Sequence, residues 1–272
     1  MKKYILVLLS ALLFSSLGTV SAQNVLEVRG STTLFPLIKE IASLYMDDYK
    51  SVTINVKASG SSNGLRALDK SRADLAMASR ELKEREQEEM PTIKQQVIAY
   101  DALSIIVHPS NRVGKLTTDQ LRRIFTGEIK NWKEVGGRDE KIQVYTRDKD
   151  SGTYGFMREN TLQGNTFAGE AVEVESNSGM VQQVSKSRNG IGYIGLAYAE
   201  DIVKTVGVSK GGGEYIRPTF KNAMEKRYPI IRPLSLFYLP SKEYKVKSFI
   251  EFCMSSMGQK LAAYEGYIPA KF

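Results

Sequence analysis

The sequence predicts an α/β fold. Strand, loop and helix signals alternate along most of the chain. The strand runs end in loops rich in glycine and hydroxyl residues, and most of those loops open into a helix. Val25 to Val28 reads as a short strand stopped by Gly30. Leu37 to Tyr49 carries apolar residues at helical spacing, with Leu37, Ile38, Ile41, Ala42, Leu44, Tyr45 and Tyr49 on one side. Val52 to Val56 alternates as a β-branched strand. Gly60 to Gly64 reads as a loop, Leu65 to Lys70 as a helix and Leu75 to Ala78 as a short strand ending at Ser79. Val97 to Val107 is a long apolar strand region interrupted by Asp101.

The second half repeats the pattern. Thr117 or Thr118 caps a helix that runs to Phe125, with Leu121, Ile124 and Phe125 on one face. Ile142 to Tyr145 is a strand, followed by "TRDKDSGTYGFM" and a helix to about Leu162. Asn177-Ser178-Gly179 precedes a helix over Met180 to Ser187, and Ile191 to Ile194 is a strand flanked by glycines. Gly211 to Gly213 marks a loop, Leu234 to Leu239 a strand, and Lys245 to Glu265 a final helix. Phe125, Trp132 and Tyr193 read as core. Glu81, Glu84, Glu86, Glu88 and Glu89 read as a solvated helical face.

The first 22 residues stand apart. Lys2 and Lys3 precede an apolar run over Ile5 to Leu17, and Val20-Ser21-Ala22 offers small residues for cleavage. This is the pattern of a secretory signal peptide, shorter than the roughly 20 apolar residues of a spanning helix. No cysteine near that point would take a lipid anchor. Cleavage after Ala22 leaves 250 of the 272 residues and takes the net charge from +8 to +6, since the leader holds two lysines and no acid. That excess suits anionic ligands. It is too dispersed for nucleic acid, with no basic block interleaved with aromatics. Cys253, the only cysteine, forms no internal disulfide and sits in an apolar helical pattern.

Four loops share one chemistry: "GSTTLFP" from Gly30, "SGSSNG" from Ser59, "MASRE" from Met77 and "RDKDSGT" from Arg147. Ligands of open α/β sheets bind beyond the carboxyl ends of the strands. Helix N-termini there offer free N–H groups and a partial positive charge to anions. A single such loop is an ordinary helix cap; four with the same groups, and an arginine able to grip an oxyanion at two points, read as an anion site.

The ordered set "GSTTLFPLI", "SGSSNGLRAL", "ADLAMASREL", "IVHPSN" with "LRRIFTGEIKNW", "RDKDSGT" and "GIGYIGLAY" resembles the PstS-type phosphate-binding proteins of ABC importers, from about Val25 to Pro269. The resemblance implies a two-lobed periplasmic-binding-protein fold with two hinge strands and a ligand cleft. The expected division is a first lobe over 23–101, a second over 102–200 and a return to the first over 201–272. It also implies a monomeric periplasmic protein that captures inorganic phosphate for ABC permease subunits, without catalysis, cofactor or metal. By the same resemblance Thr32 gives its hydroxyl and Thr33 its backbone N–H. Ser61, Ser79, Ser151, Gly152 and Thr153 surround the ligand, and Arg147 supplies the one formal positive charge. Many members carry an aspartate after the serine of the third loop to accept the proton of hydrogen phosphate; here Arg80 stands there. A second familiar aspartate is replaced by Lys149. Asp148, Asp150 or Asp101 could take over as acceptor. The departure leaves sulfate, arsenate or tungstate open as alternative ligands, in transport or in sensing.

Enzymatic readings lack their motifs. His108, the only histidine, has no G-x-S-x-G elbow to serve. No Cys/His cluster suits zinc and no G-x-x-x-x-G-K-[ST] suits a nucleotide.

Overall fold

The computed structural model describes residues 24–271; the expected signal peptide lies outside them. In chain order the elements are β1 (Asn24–Gly30), α1 (Phe35–Asp48), β2 (Val52–Ala58), α2 (Ser61–Asp69), β3 (Leu75–Ala78), α3 (Glu84–Glu89), β4 (Lys94–Val107), β5 (Lys115–Thr117) and α4 (Thr118–Phe125). There follow β6 (Gln143–Arg147), α5 (Gly152–Asn160), β7 (Val172–Val174), α6 (Asn177–Lys186), β8 (Gly190–Gly195), β9 (Lys204–Thr205) and β10 (Gly207–Ser209). The chain ends with α7 (Phe220–Met224), β11 (Ile231–Tyr238), α8 (Glu243–Cys253), α9 (Ser256–Tyr264) and β12 (Ile268–Pro269).

A mixed sheet runs in the order β2-β1-β3-β11-β4-β8-β6-β7, with β9 and β12 also paired to β4. β1 pairs in parallel with β2 and β3, and β6 in parallel with β7 and β8. β4 joins the two halves. Its Lys94–Ala102 stretch pairs antiparallel with β11, and Leu103–Val107 pairs antiparallel with β8. The register with β11 slips between Leu234 and Ser235. One apolar core gathers Leu26, Val28, Ile38, Ile41, Leu75, Met77, Leu236 and Phe249; the other gathers Leu121, Ile124, Phe125, Trp132, Val144, Ile191 and Tyr193. The two lobes face each other across a cleft at the carboxyl ends of β1, β3 and β6.

The local rules explain most elements. α1 opens with Pro36 in its first turn and buries Leu37, Ile38, Ile41, Ala42 and Tyr45. Thr117 rather than Thr118 caps α4, in a capping box with Gln120. Trp132 donates from Nε1 to Asn189 O at 2.9 Å, which satisfies its buried N–H. Cys253 is free and buried, and burial pushes its thiol pKa up.

Several expectations change. Ser61 to Gly64 is not loop but the first turn of α2, entered from Gly60 at φ 87°. At Gly60 a β-carbon would also press on Asp150 O at 2.8 Å, so both backbone and space require glycine there. The final helix is two helices, because Ser255 caps a new start by accepting from Gly258 N. Glu86 leaves the expected solvated face and turns inward to Arg80. The segment after residue 200 does not go straight back to the first half: β10 pairs with β5, and Val206, Val208, Ile216, Ala223 and Tyr228 join the second core. β11 carries the chain back.

Candidate functional site

The first wall of the cleft comes from the β1–α1 loop, the start of α2 and the end of β3. Ser31 Oγ accepts from Thr33 N at 3.1 Å and Leu34 N at 3.3 Å, a local turn that occupies the Thr33 N–H expected to bind ligand. What Thr33 presents instead is its hydroxyl. Two tyrosines fix the same loop from behind: Tyr198 donates to Thr32 O at 2.8 Å and Tyr267 to Thr33 O at 2.7 Å. Burial pushes the Tyr198 phenol up to about 12, so it remains a donor. Ser61, at the first position of α2, accepts from Ser79 N at 3.2 Å.

The second wall is built by β6 and α5. Arg147 ends β6, fully buried. Its Nε donates to Val174 O at 2.9 Å and its Nη2 to Glu175 O at 2.6 Å and to Thr32 Oγ1 at 3.2 Å, the last across the cleft. Nη1 has no partner although it is buried. Burial lowers the Arg147 pKa and the nearby Asp148 opposes this; a guanidinium keeps its proton in either case. Ser151 caps α5 by accepting from Tyr154 N at 3.3 Å. Gly152 lies so near Ser61 and Ser79 that a β-carbon would fall 2.6 Å from Ser79 Oγ and overlap Ser61 Oγ. Thr153 Oγ1 stands 3.2 Å from Thr33 Oγ1. Thr32, Thr33, Ser61, Ser79, Arg147, Gly152 and Thr153 therefore converge on one buried spot. There Arg147 Nη1 and Ser79 Oγ are polar atoms without partners. Helices α2 and α5 both aim their N-termini at it.

Arg80 and Asp148 fall elsewhere. Arg80 is buried but forms a two-point pair with Glu86 at 2.6 and 2.7 Å, and reaches Ser62 Oγ at 3.0 Å. Asp148 is partly exposed, accepts from Asp150 N at 2.9 Å and lies 3.9 Å from Arg147 Nη2. Asp150 closes the rim, with Arg66 Nη2 at 2.8 Å and Asn63 Nδ2 at 3.1 Å. His108 Nδ1 accepts from Ser110 N at 3.0 Å, away from the cleft.

Sequence reasoning missed a second arginine. Arg232 of β11 is fully buried and ion-paired with Asp101 of β4 at 2.6 Å. Nη1 donates to Thr153 Oγ1 at 2.8 Å and Ser79 O at 3.4 Å; Nη2 reaches Thr33 Oγ1 at 3.4 Å. Asp101 Oδ1 accepts from Leu196 N at 2.9 Å. Burial raises the Asp101 pKa, with Arg232 and that N–H pulling the other way. Asn177, at the start of α6, donates to Thr33 Oγ1 at 3.2 Å. A readable signal was one charge of each sign stranded inside an apolar strand run, "IAYDALSIIV" and "PIIRPLSLFYL".

The chain matches the family model of the PBP superfamily domain over residues 18–256. It is 32% identical to the phosphate-binding protein PstS of Borreliella burgdorferi across all of both chains. It is also 32% identical to PstS of Pseudomonas aeruginosa, over 88% of this chain and 81% of that one. Among solved structures it is similar to a Clostridium perfringens protein assigned as a phosphate ABC transporter substrate-binding protein, crystallised with bound phosphate. The TM-score is 0.85 at 32% identity, over 91% of this chain and 100% of that one. An ABC-type phosphate transport receptor from Vibrio cholerae matches at a TM-score of 0.77 and 32% identity, over 90% and 99%. With its fold, its motifs and a full-length relative in agreement, the protein belongs to the PBP superfamily, among the PstS-type phosphate-binding proteins.

Proposed function

We propose that this protein captures inorganic phosphate outside the cytoplasm and delivers it to an ABC import permease, binding without turnover. The observation that carries the reading is the buried Nη1 of Arg147, without a partner, in a cleft where Ser79 Oγ is also unpartnered. A buried cationic donor with no acceptor is costly unless an anion meets it. Thr32, Ser61, Ser151, Gly152 and Thr153 complete the enclosure as neutral donors around that charge, and Thr33 Oγ1 supports Thr153 Oγ1 at 3.2 Å. The identity to phosphate-binding relatives supports phosphate as that anion. In this reading residues 1–22 are a signal peptide, the mature chain is an unlipidated periplasmic monomer, and the permease docks on the closed form. The first lobe is formed by residues up to about 101 together with those from about 231 onward. The segment 201–230 belongs with the second lobe through its packing on that core. Calorimetry on phosphate-stripped protein tests the proposal: saturable binding of phosphate with one site per chain supports it, and no heat at any phosphate concentration overturns it.

Another tetrahedral oxyanion is a second reading with its own support. The carboxylates nearest the cleft are engaged, Asp101 by Arg232 and Leu196 N–H, and Asp148 by Asp150 N–H.

A further inference from the structure

We propose that Arg232 and Asn177 are positioning residues that force the Thr33 and Thr153 hydroxyls to act as donors, so that this corner of the cleft takes only an unprotonated anion oxygen. The proposal rests on the phosphate reading above and adds which protonation pattern of the anion the site accepts.

A hydroxyl has two lone pairs and one proton to give. Thr33 Oγ1 receives Asn177 Nδ2 at 3.2 Å and Arg232 Nη2 at 3.4 Å. Neither nitrogen can accept, so both lone pairs of Thr33 are engaged and its proton must point outward. Its nearest acceptor is Thr153 Oγ1 at 3.2 Å. Thr153 Oγ1 already receives Arg232 Nη1 at 2.8 Å. With the proton of Thr33 it too has both lone pairs filled, and its own hydrogen is left for a further acceptor. The chain of bonds thus has one direction: arginine to threonine to threonine to anion. Bonds aligned in this way polarise one another.

Asp101 sets the starting point. It accepts both Nε and Nη2 of Arg232 through Oδ2, at 2.9 and 2.6 Å, which fixes the plane of the guanidinium. It also cancels the charge of Arg232, so the pair directs protons without adding net positive charge. Ser79 is the hydroxyl in this group left without a partner, and it can turn either way.

The consequence concerns selectivity. A carboxylate acceptor aimed at the ligand would reject sulfate, which has no proton to offer. A corner committed to donation does the opposite and suits sulfate as well as the bare oxygens of hydrogen phosphate. One unmade hydrogen bond separates the two anions at most, so sulfate should bind the wild-type protein within about a hundredfold of phosphate.

The test is calorimetry on the stripped full chain with phosphate and with sulfate, for wild type, Arg232→Lys and Asn177→Ala. Arg232→Lys keeps the buried charge pair but cannot span both threonines; Asn177→Ala leaves that pair untouched and decides the matter if the lysine variant does not fold. Each variant frees a lone pair that can accept the proton of hydrogen phosphate but is useless to sulfate. Sulfate affinity should therefore fall further than phosphate affinity, changing their ratio by about fivefold or more. Equal losses for the two anions, or no loss for either, would mean a purely structural role and overturn the proposal. Wild-type protein that binds phosphate and refuses sulfate overturns it too, while leaving the function in place. Wild-type protein that binds neither anion overturns both.

Discussion

Arg66 of α2 and Asp150 of the loop before α5 form an ion pair of 2.8 Å that bridges the two lobes at the outer edge of the cleft. Asp150 is also held through its backbone, whose carbonyl accepts from Ser62 N at 3.1 Å. The two side chains remain 61% and 41% exposed. Exposed pairs contribute about 0.2–1 kcal/mol, and salt screens them. Arg66→Ala should therefore weaken phosphate binding only about twofold to fivefold. The loss should lie in faster release and should shrink as salt is raised. Stopped-flow release at two ionic strengths checks this; a large loss insensitive to salt would give the pair a deeper role.

Gly152 makes a sharper demand. A methyl group at that position would overlap Ser61 Oγ and crowd Ser79 Oγ, both on the opposite wall. Alanine is well tolerated in the first turn of a helix, so Gly152→Ala should fold with a nearly unchanged melting temperature. It should be unable to close fully. Since ligand and closure are linked through differential binding, phosphate affinity should fall by at least about a hundredfold. Small-angle scattering should show compaction with phosphate for wild type and none for the variant.

The Arg80–Glu86 pair predicts a pH dependence of stability. Burial raises the Glu86 pKa, but the two-point bond from Arg80 and the N–H of Lys83 outweigh it, and the net direction is downward. A carboxylate depressed in the folded state contributes stability above its unfolded pKa and loses it as pH falls through the folded value. Glu86→Gln strands the buried Arg80 charge and should cost about 3 kcal/mol near neutrality. The gap between wild type and variant should be constant above about pH 5 and narrow below it. Urea melts at several pH values test the sign; a gap that widened in acid would contradict it.

Local signals carried much of the fold. The strand stops at Gly30 and at Ala78 before Ser79 were legible because hydroxyl and glycine runs follow apolar stretches directly, whereas β6 runs two residues past the expected Tyr145 to Arg147. The start of α2 was not, since Ser61, Ser62 and Asn63 are loop formers by local preference and become helical where Ser61 Oγ accepts from Ser79 N, 18 residues away. Arg232 and Asp101 are 131 positions apart; each alone reads as an interruption in a strand, and only the β4–β11 pairing makes them partners. The fate of 201–230 was hidden for a similar reason. β10 has three residues, too few for periodicity to show, and its place is set by β5 rather than by its own sequence.

Arg147 should be the decisive residue for affinity, even with a second arginine in the cleft. Asp101 neutralises Arg232, whereas the carboxylate nearest Arg147 stands off at 3.9 Å and is partly exposed. Arg147 is therefore the less neutralised of the two buried arginines. Hydrogen bonds to a charged group contribute roughly 1.5–3 kcal/mol each. Arg147→Ala should weaken phosphate binding by about a hundredfold or more, against about tenfold for Ser61→Ala, whose hydroxyl is neutral. Arg147→Lys should recover only part of the loss. An ammonium restores the charge, but it cannot serve Val174 O, Glu175 O and the ligand with the fixed geometry of the fork. Removing the guanidinium also strands those two carbonyls, so melting temperatures must be measured beside the affinities. If Arg147→Ala melts near the wild-type temperature and still binds phosphate within tenfold, the charge is not what holds the anion. If Arg147→Lys binds as well as wild type, charge alone suffices and the fork is dispensable. An affinity order of wild type, lysine, then alanine, with melting temperatures close together, is the result expected of an anion clamp.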